Sequence, residues 1–277
     1  MEHLEERSML SLTPEMMREK LAPYLAAGKI SGATIVTHGF QFGDDDGDSL
    51  LSLATAIRNR ADAALGKDAF LLDYDVASEG AAGVFDTSTF NIPAPGATLT
   101  PSEVVLLFDW APESQENSKG WAEAAGDALF NMVTYLGLVR PESGRTDIPL
   151  HFIAHSFGSG VTSQAVNRLA AFSIPVDQVT FLDPHDFDQS LMPIDQSQEI
   201  FTLGLPQPEP MSGAYGLNYG ATIWKNVSFA DVYYQTSSHI EVPDGRPIPG
   251  AFNQLINSQI PDVPEIVPHT YVWDTFY

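Results

Sequence analysis

The passage PLHFIAHSFGSG constrains this chain most: an apolar run from Ile148 to Ala154 stops at His155 and Ser156 and gives way to small residues. A short continuous apolar run is the pattern of a parallel strand buried on both faces. Gly158, Ser159 and Gly160 followed by SQAVNRLAAF is the pattern of a helix starting. Ser156 is therefore expected on a sharp strand-to-helix turn that holds its hydroxyl clear of the backbone. The amide of Phe157 then lies at the helix N-terminus, where it can donate to a developing oxyanion. Ala154 suits such a turn, since strand and helix pass closely there and only a small residue fits. The same pentapeptide also reads as an ordinary polar turn between a strand and a helix, and the rest of the chain has to decide between the two.

The surrounding pattern repeats strand, loop and helix. Thr13-Pro14-Glu15 starts a helix over about 14–27, with Gly28 as its stop. Ala33 to Thr37 reads as a buried strand ending at His38-Gly39-Phe40. Asp48 is expected to cap the helix SLLSLATAIRNRADAALG, which stops at Gly66. Phe70 to Tyr74 and Val104 to Asp109 are further strands, separated by a stretch rich in Gly, Thr and Pro. Trp121 to Leu136 reads as a helix, and VDQVTFLD and VSFADVYYQ as strands. Strands alternating with helices predict an α/β fold, a mainly parallel sheet with helices on both faces. With 277 residues and no shift in composition, one domain over 1–277 is expected, residues 1–30 forming an N-terminal helical extension.

Charge narrows the partners. Thirteen basic against 36 acidic residues give a formal charge of −23, which repels nucleic acid and anionic membranes and favours solubility. The absence of cysteine removes disulfides, thiolate nucleophiles and thiolate metal sites. The N-terminal MEHLEERSML lacks the pattern of a signal peptide, and no apolar run approaches the ~20 residues of a membrane helix. The expectation is a soluble chain, its compartment and oligomeric state open.

In an open parallel sheet the functional residues gather at the carboxyl ends of the strands. Ser156, Asp183 and the His38-Gly39-Phe40 loop each follow a strand, and a serine hydroxyl becomes a nucleophile when an imidazole, oriented by a carboxylate, takes its proton. With HGF at 38–40, FDW at 108–110, AHSFGSG around Ser156 and LDP at 182–184, the chain resembles the α/β-hydrolases of the lipase and carboxylesterase kind. The likeness is to the pancreatic-lipase-like branch and covers about residues 33–277; VSFADVYYQ resembles the strand that follows in those enzymes. Ala154 in the elbow and the lack of cysteines depart from that pattern. The resemblance implies an α/β-hydrolase fold with a lid-like insertion, a triad in the order Ser, Asp, His, and an oxyanion hole from the amides of Phe40 and Phe157.

Within that order Asp183 is taken as the acid, from its LDP context and strand-end position. Asp231 is the alternative one strand later, where the alternation of its strand can turn it from the site; Asp186 and Asp188 read equally as solvated loop charges. For the base, His3 lies in the N-terminal segment, His151 within a strand, His38 in the oxyanion loop, His155 beside the pocket and His185 near the acid. His239 and His269 remain. His239 sits in a polar turn, SSHIEVPDG, whereas His269 precedes Tyr271, Trp273 and Tyr277, aromatics able to anchor a loop on the core, and is preferred.

The expected activity is that of a serine carboxylic ester hydrolase, esterase or lipase, acting through an acyl-enzyme on apolar small-molecule or lipid esters. The alternatives are an amidase or peptidase on the same residues, or a non-catalytic binding domain. This chemistry calls for no cofactor or metal. The acidic loop Asp44 to Asp48 lacks the spaced ligands of a calcium loop and reads as a solvated helix cap. The Pro- and Gly-rich segment 185–222, with Leu203, Leu205, Met211, Tyr215 and Tyr219, reads as a lid or acyl-pocket wall, or as a plain surface excursion.

Overall fold

The computed structural model describes residues 11–40, 50–65, 69–76, 83–86, 92, 99–110, 114, 121–144, 146, 148–185, 220–237, 244–262 and 267–277. Its frame is a mostly parallel sheet of nine strands alternating with helices, an α/β architecture. In chain order the elements are β1 (Ser11–Leu12), α1 (Pro14–Ala26), β2 (Ile30–Thr37), α2 (Leu51–Leu65), β3 (Phe70–Asp75), β4 (Val84–Asp86) and β5 (Ser102–Asp109). There follow α3 (Trp121–Tyr135), β6 (Leu150–His155), α4 (Gly158–Ala171), β7 (Val176–Leu182), β8 (Val227–Tyr234), β9 (Phe252–Leu255) and α5 (Pro268–Tyr271), which runs into a π-helical turn, Val272–Phe276. The strand order is β1-β4-β3-β5-β2-β6-β7-β8-β9. From β3 to β9 every pairing is parallel, and only β4 runs antiparallel to its neighbours β1 and β3.

Burial on both faces explains the unbroken apolar runs of the central strands. Ile35, Leu106 and Phe152 point into one cluster with Met17 and Leu21 of α1, Leu129 of α3 and Val161 of α4. Val36, Val105, Leu107 and Ile153 point into the other, with Ala54 of α2 and Val272 of the C-terminal turn. Helices therefore cover both faces, as the alternating pattern predicts. Helix α1 starts where its cap predicts, Thr13 Oγ1 accepting from the Met16 amide at 3.3 Å. Its residues Met17, Leu21 and Tyr24 are buried in the main core.

Three short strands were not anticipated. β1 and β4 are two and three residues long, and β4 lies within the Gly- and Pro-rich stretch read as a connection. β9 has exposed Phe252 and Leu255 and no buried residue, so it carries no alternating pattern to read. The segment carrying His269 is helical and not the loop expected: Pro268 sets the first turn of α5 and the chain continues into the π-helical turn. Asp44 to Asp48 and nearly all of 185–222 fall outside the described residues. No described helix is long and apolar enough to cross a membrane.

Candidate active site

The serine turn is as sharp as its sequence predicts. Ser156 follows β6 with φ of 55°, a left-handed conformation that a non-glycine residue adopts only when its surroundings impose it. Here the imposing contacts are its own amide, donating to the Leu182 carbonyl of β7 at 2.9 Å, and its carbonyl, accepting the Ser159 amide at 3.1 Å as α4 begins. Phe157, buried, precedes the first residue of that helix. The His38-Gly39-Phe40 loop lies directly over this turn. A Cβ at position 39 would come within 2.5 Å of Ser156 Cβ and 3.1 Å of its Oγ, and one at position 158 would strike the His38 carbonyl. Both glycines are thus required by close approach, Gly39 to the Ser156 side chain and the His155 carbonyl, and Gly158 to the carbonyls of Thr37 and His38.

Asp183 repeats the device one strand over. It follows β7 with φ of 46°, its amide donating to the Tyr233 carbonyl of β8 at 2.7 Å. Its side chain is fully buried and accepts three hydrogen bonds: from the Gln235 amide to Oδ1 at 2.9 Å, from Gln235 Nε2 to Oδ2 at 2.9 Å, and from His269 Nδ1 to Oδ2 at 2.5 Å. Gly245 packs against the carboxylate so closely that a Cβ there would overlap Oδ1. With Nδ1 engaged by the carboxylate, the basic nitrogen of His269 is Nε2, the tautomer a general base needs.

His155, next to the serine, completes the cluster. Its ring lies 4.4 Å from that of His269, and its Nε2 donates to the His269 carbonyl at 3.2 Å. Trp273 meets the same ring edge-on at 6.2 Å, which ties the C-terminal turn to the end of β6. The sequence predicts His155 beside the pocket; its contact is with the backbone and ring of His269.

Burial dominates the electrostatics. It pushes the Asp183 carboxyl up to about 7, opposed by the Gln235 hydrogen bonds and by the nearby His155 and His185. It pushes His269 down to about 3, His185 acting in the same direction, and holds His155 well below the ordinary histidine value. Both members of the Asp183–His269 pair are shifted against their charged forms, so the pair takes up its first proton near neutrality as a unit.

The structure thus brings Ser156, Asp183, His269, the Phe157 turn and the Phe40 loop to one end of the parallel sheet. It keeps Asp231 away: that carboxylate lies in mid-strand, accepting from Thr180 Oγ1 at 2.7 Å and from Gln178 Nε2 at 3.3 Å. His151, within β6, joins the same group through Thr180 at 2.9 Å. His239, Asp186 and Asp188 lie outside the described residues. Gln235 was not singled out from sequence. Its position two residues beyond Tyr233, which pairs with Leu182, puts it beside Asp183, and only the register between β7 and β8 reveals that. Among the described residues no group of three or more His, Asp or Glu side chains is arranged to hold a metal ion. In comparisons with known proteins, the chain matches no family model and no curated protein.

Proposed function

We propose that this protein is a serine carboxylic ester hydrolase of the α/β-hydrolase kind. The observation that carries the reading is the 2.5 Å hydrogen bond from His269 Nδ1 to the buried Asp183, at the strand end beside the strained Ser156 turn. Ser156 Oγ attacks the ester carbonyl while His269 Nε2 takes its proton, and Asp183 holds the imidazole in that tautomer and stabilises its charged form. The carbonyl oxygen, now an oxyanion, receives the amides of Phe40 and Phe157. Collapse expels the alcohol, protonated by His269, and leaves an acyl-serine. Water, deprotonated by the same imidazole, attacks the acyl carbon and returns the enzyme with a free carboxylic acid.

The apolar composition of 185–222, expected from sequence to form a lid or acyl-pocket wall, is the ground for proposing an apolar acyl group, and an ester is the substrate this apparatus cleaves most readily. The test is turnover of p-nitrophenyl butyrate together with labelling by a fluorophosphonate. Wild type is expected to do both and Ser156→Ala neither. Equal rates in the two proteins would remove Ser156 as the nucleophile, and cleavage of the matching anilide in preference to the ester would make the protein an amidase. No turnover and no labelling of wild type would leave a binding domain. Activity that climbs when a long-chain ester forms droplets would identify a lipase, and activity limited to dissolved short esters an esterase.

A further inference from the structure

The site contains a second buried histidine–aspartate pair that the proposed reaction does not use. His38 and Asp109 are the first residue after β2 and the last residue of β5, neighbouring parallel strands, and both are buried. His38 Nε2 lies 2.8 Å from Asp109 Oδ1 and 2.9 Å from the Trp110 amide, and Nδ1 donates to the Gly39 carbonyl at 2.8 Å. The His38 carbonyl accepts from Trp110 Nε1 at 2.9 Å. A carbonyl only accepts, so Nδ1 is the donor in the bond to Gly39, while Nε2 faces the Asp109 carboxyl group and receives the Trp110 amide. The loop that precedes the Phe40 amide is therefore clasped at its ring and at its backbone by two consecutive residues of another strand end.

Trp110 extends this clasp to the other proposed oxyanion donor. Its ring is stacked on His38 at 5.7 Å and meets Phe157 at 5.6 Å, so one fully buried indole touches the residues on both sides of the hole. Phe40 and Phe157 belong to different loops, joined to the sheet through different strands, and an oxyanion hole works only when its donors are fixed relative to each other before charge develops. We propose that Asp109 and Trp110 are positioning residues which, through His38, hold the Phe40 and Phe157 amides in register as one preformed oxyanion hole. They touch neither Ser156 nor substrate in this scheme; they act by fixing the Gly39 wedge, which packs directly against the serine turn.

The inference rests on the ester hydrolase reading, and the experiment separates the two. Wild type and Ser156→Ala test the reading. With turnover established, Asp109→Asn and Trp110→Phe test the clasp: the first keeps the size of the carboxyl group but changes its hydrogen bonding, the second keeps an aromatic ring, smaller than the indole, and loses the Nε1 donor. Expected are a fall in kcat on the order of 100-fold for Asp109→Asn and about 10-fold for Trp110→Phe, with KM within about twofold. Affinity for an alkyl boronic acid, which forms a tetrahedral adduct on the serine, should fall in parallel, and exchange of the Phe40 amide hydrogen should quicken. The acid limb of the pH profile should stay in place, because Asp183 and His269 are untouched. If Asp109→Asn fails to fold, Trp110→Phe alone decides. A folded variant with unchanged kcat and unchanged boronic acid affinity overturns the clasp while leaving the hydrolase reading intact; loss of KM with kcat preserved overturns it as well, since that marks a substrate-binding role. If wild type shows no turnover, the hydrolase reading itself fails and the clasp falls with it.

Discussion

Asp183 and Asp231 belong to neighbouring parallel strands, one just past the end of β7 and the other inside β8, both buried and both hydrogen-bonded, yet their settings differ. Asp231 sits in the middle of β8, where its backbone is committed to the ladder and its side chain to one face of the sheet. Its partners are Thr180, Gln178 and the Tyr233 hydroxyl, and through Thr180 it meets His151 and the hydroxyl of Tyr277. Asp183 sits one residue past the end of β7, where the chain turns through positive φ and the carboxylate leaves the plane of the ladder to reach a histidine that arrives from far along the sequence. Burial alone therefore says little about role. A carboxylate in mid-strand can serve only its own face, whereas one at a carboxyl end is free to meet residues from several loops.

Replacing each carboxylate by its amide is the most forceful way to break this contrast. Asp183→Asn should lower kcat by about 10⁴-fold, since an amide in that position favours the wrong imidazole tautomer. Asp231→Asn should leave kcat within about threefold and lower stability by about 1–3 kcal/mol, the cost of disrupting buried hydrogen bonds. Steady-state kinetics and thermal melts of both variants check this, and the opposite ranking would move the acid to β8. The same comparison has a pH form. The proposed mechanism requires His269 neutral and Asp183 ionised, and the pair gains its first proton near 7, so on that mechanism kcat/KM should fall about tenfold per pH unit below that point. Asp231→Asn should retain that limb.

What could be read from sequence follows the same division between local and distant determinants. Ser156 and the Phe157 turn were legible because a strand end, a small-residue turn and a helix start lie within one short stretch. Asp183 was legible from its strand end, and His269 from chain order and the aromatic residues after it, although its helical setting was not. Gln235 was hidden because its meeting with Asp183 depends on how β8 registers against β7. The HGF and FDW motifs were legible as strand ends, but the His38–Asp109 contact between them was hidden because 71 residues separate its partners and only the pairing of β2 with β5 brings them together. β9 was hidden because an edge strand without buried side chains has no periodicity to display.

The histidines attached to the two carboxylates sharpen the contrast further. Burial pushes His151 down to about 4, against the attraction of Asp231, which reaches it only through Thr180. In the unfolded chain this histidine titrates near 6.5, so between pH 6.5 and 4 the unfolded state binds the extra proton. Stability is therefore full above 6.5 and declines as pH falls through that window. His151→Gln, which keeps a donor for Thr180 Oγ1, should melt like wild type at pH 7.5 and gain on it by up to about 3 kcal/mol at pH 4. Melting curves across that range check it, and a difference independent of pH would show that His151 does not titrate in the window.

The smallest effect belongs to Gln235, which supports Asp183 without touching the reacting atoms. Its side-chain amide donates to Oδ2 and its backbone amide to Oδ1, while its own Oε1 is held by the amide and hydroxyl of Ser237. Gln235→Met preserves length and volume and keeps the backbone donor, while it removes the Nε2 hydrogen bond to Asp183 together with the Oε1 contacts to Ser237. A hydrogen bond to a charged group contributes about 1.5–3 kcal/mol, and this one favours the ionised carboxylate against the burial that raises it. The loss should move the acid limb of kcat/KM to higher pH, so that at pH 7 the variant is slower by about tenfold while at pH 9 it recovers most of the wild-type rate. Recovery at high pH is the telling part: a variant slowed equally at every pH has lost the orientation of the carboxylate and not its charge, and Gln235 would then be a packing residue beneath Asp183 instead of the group that keeps it ionised.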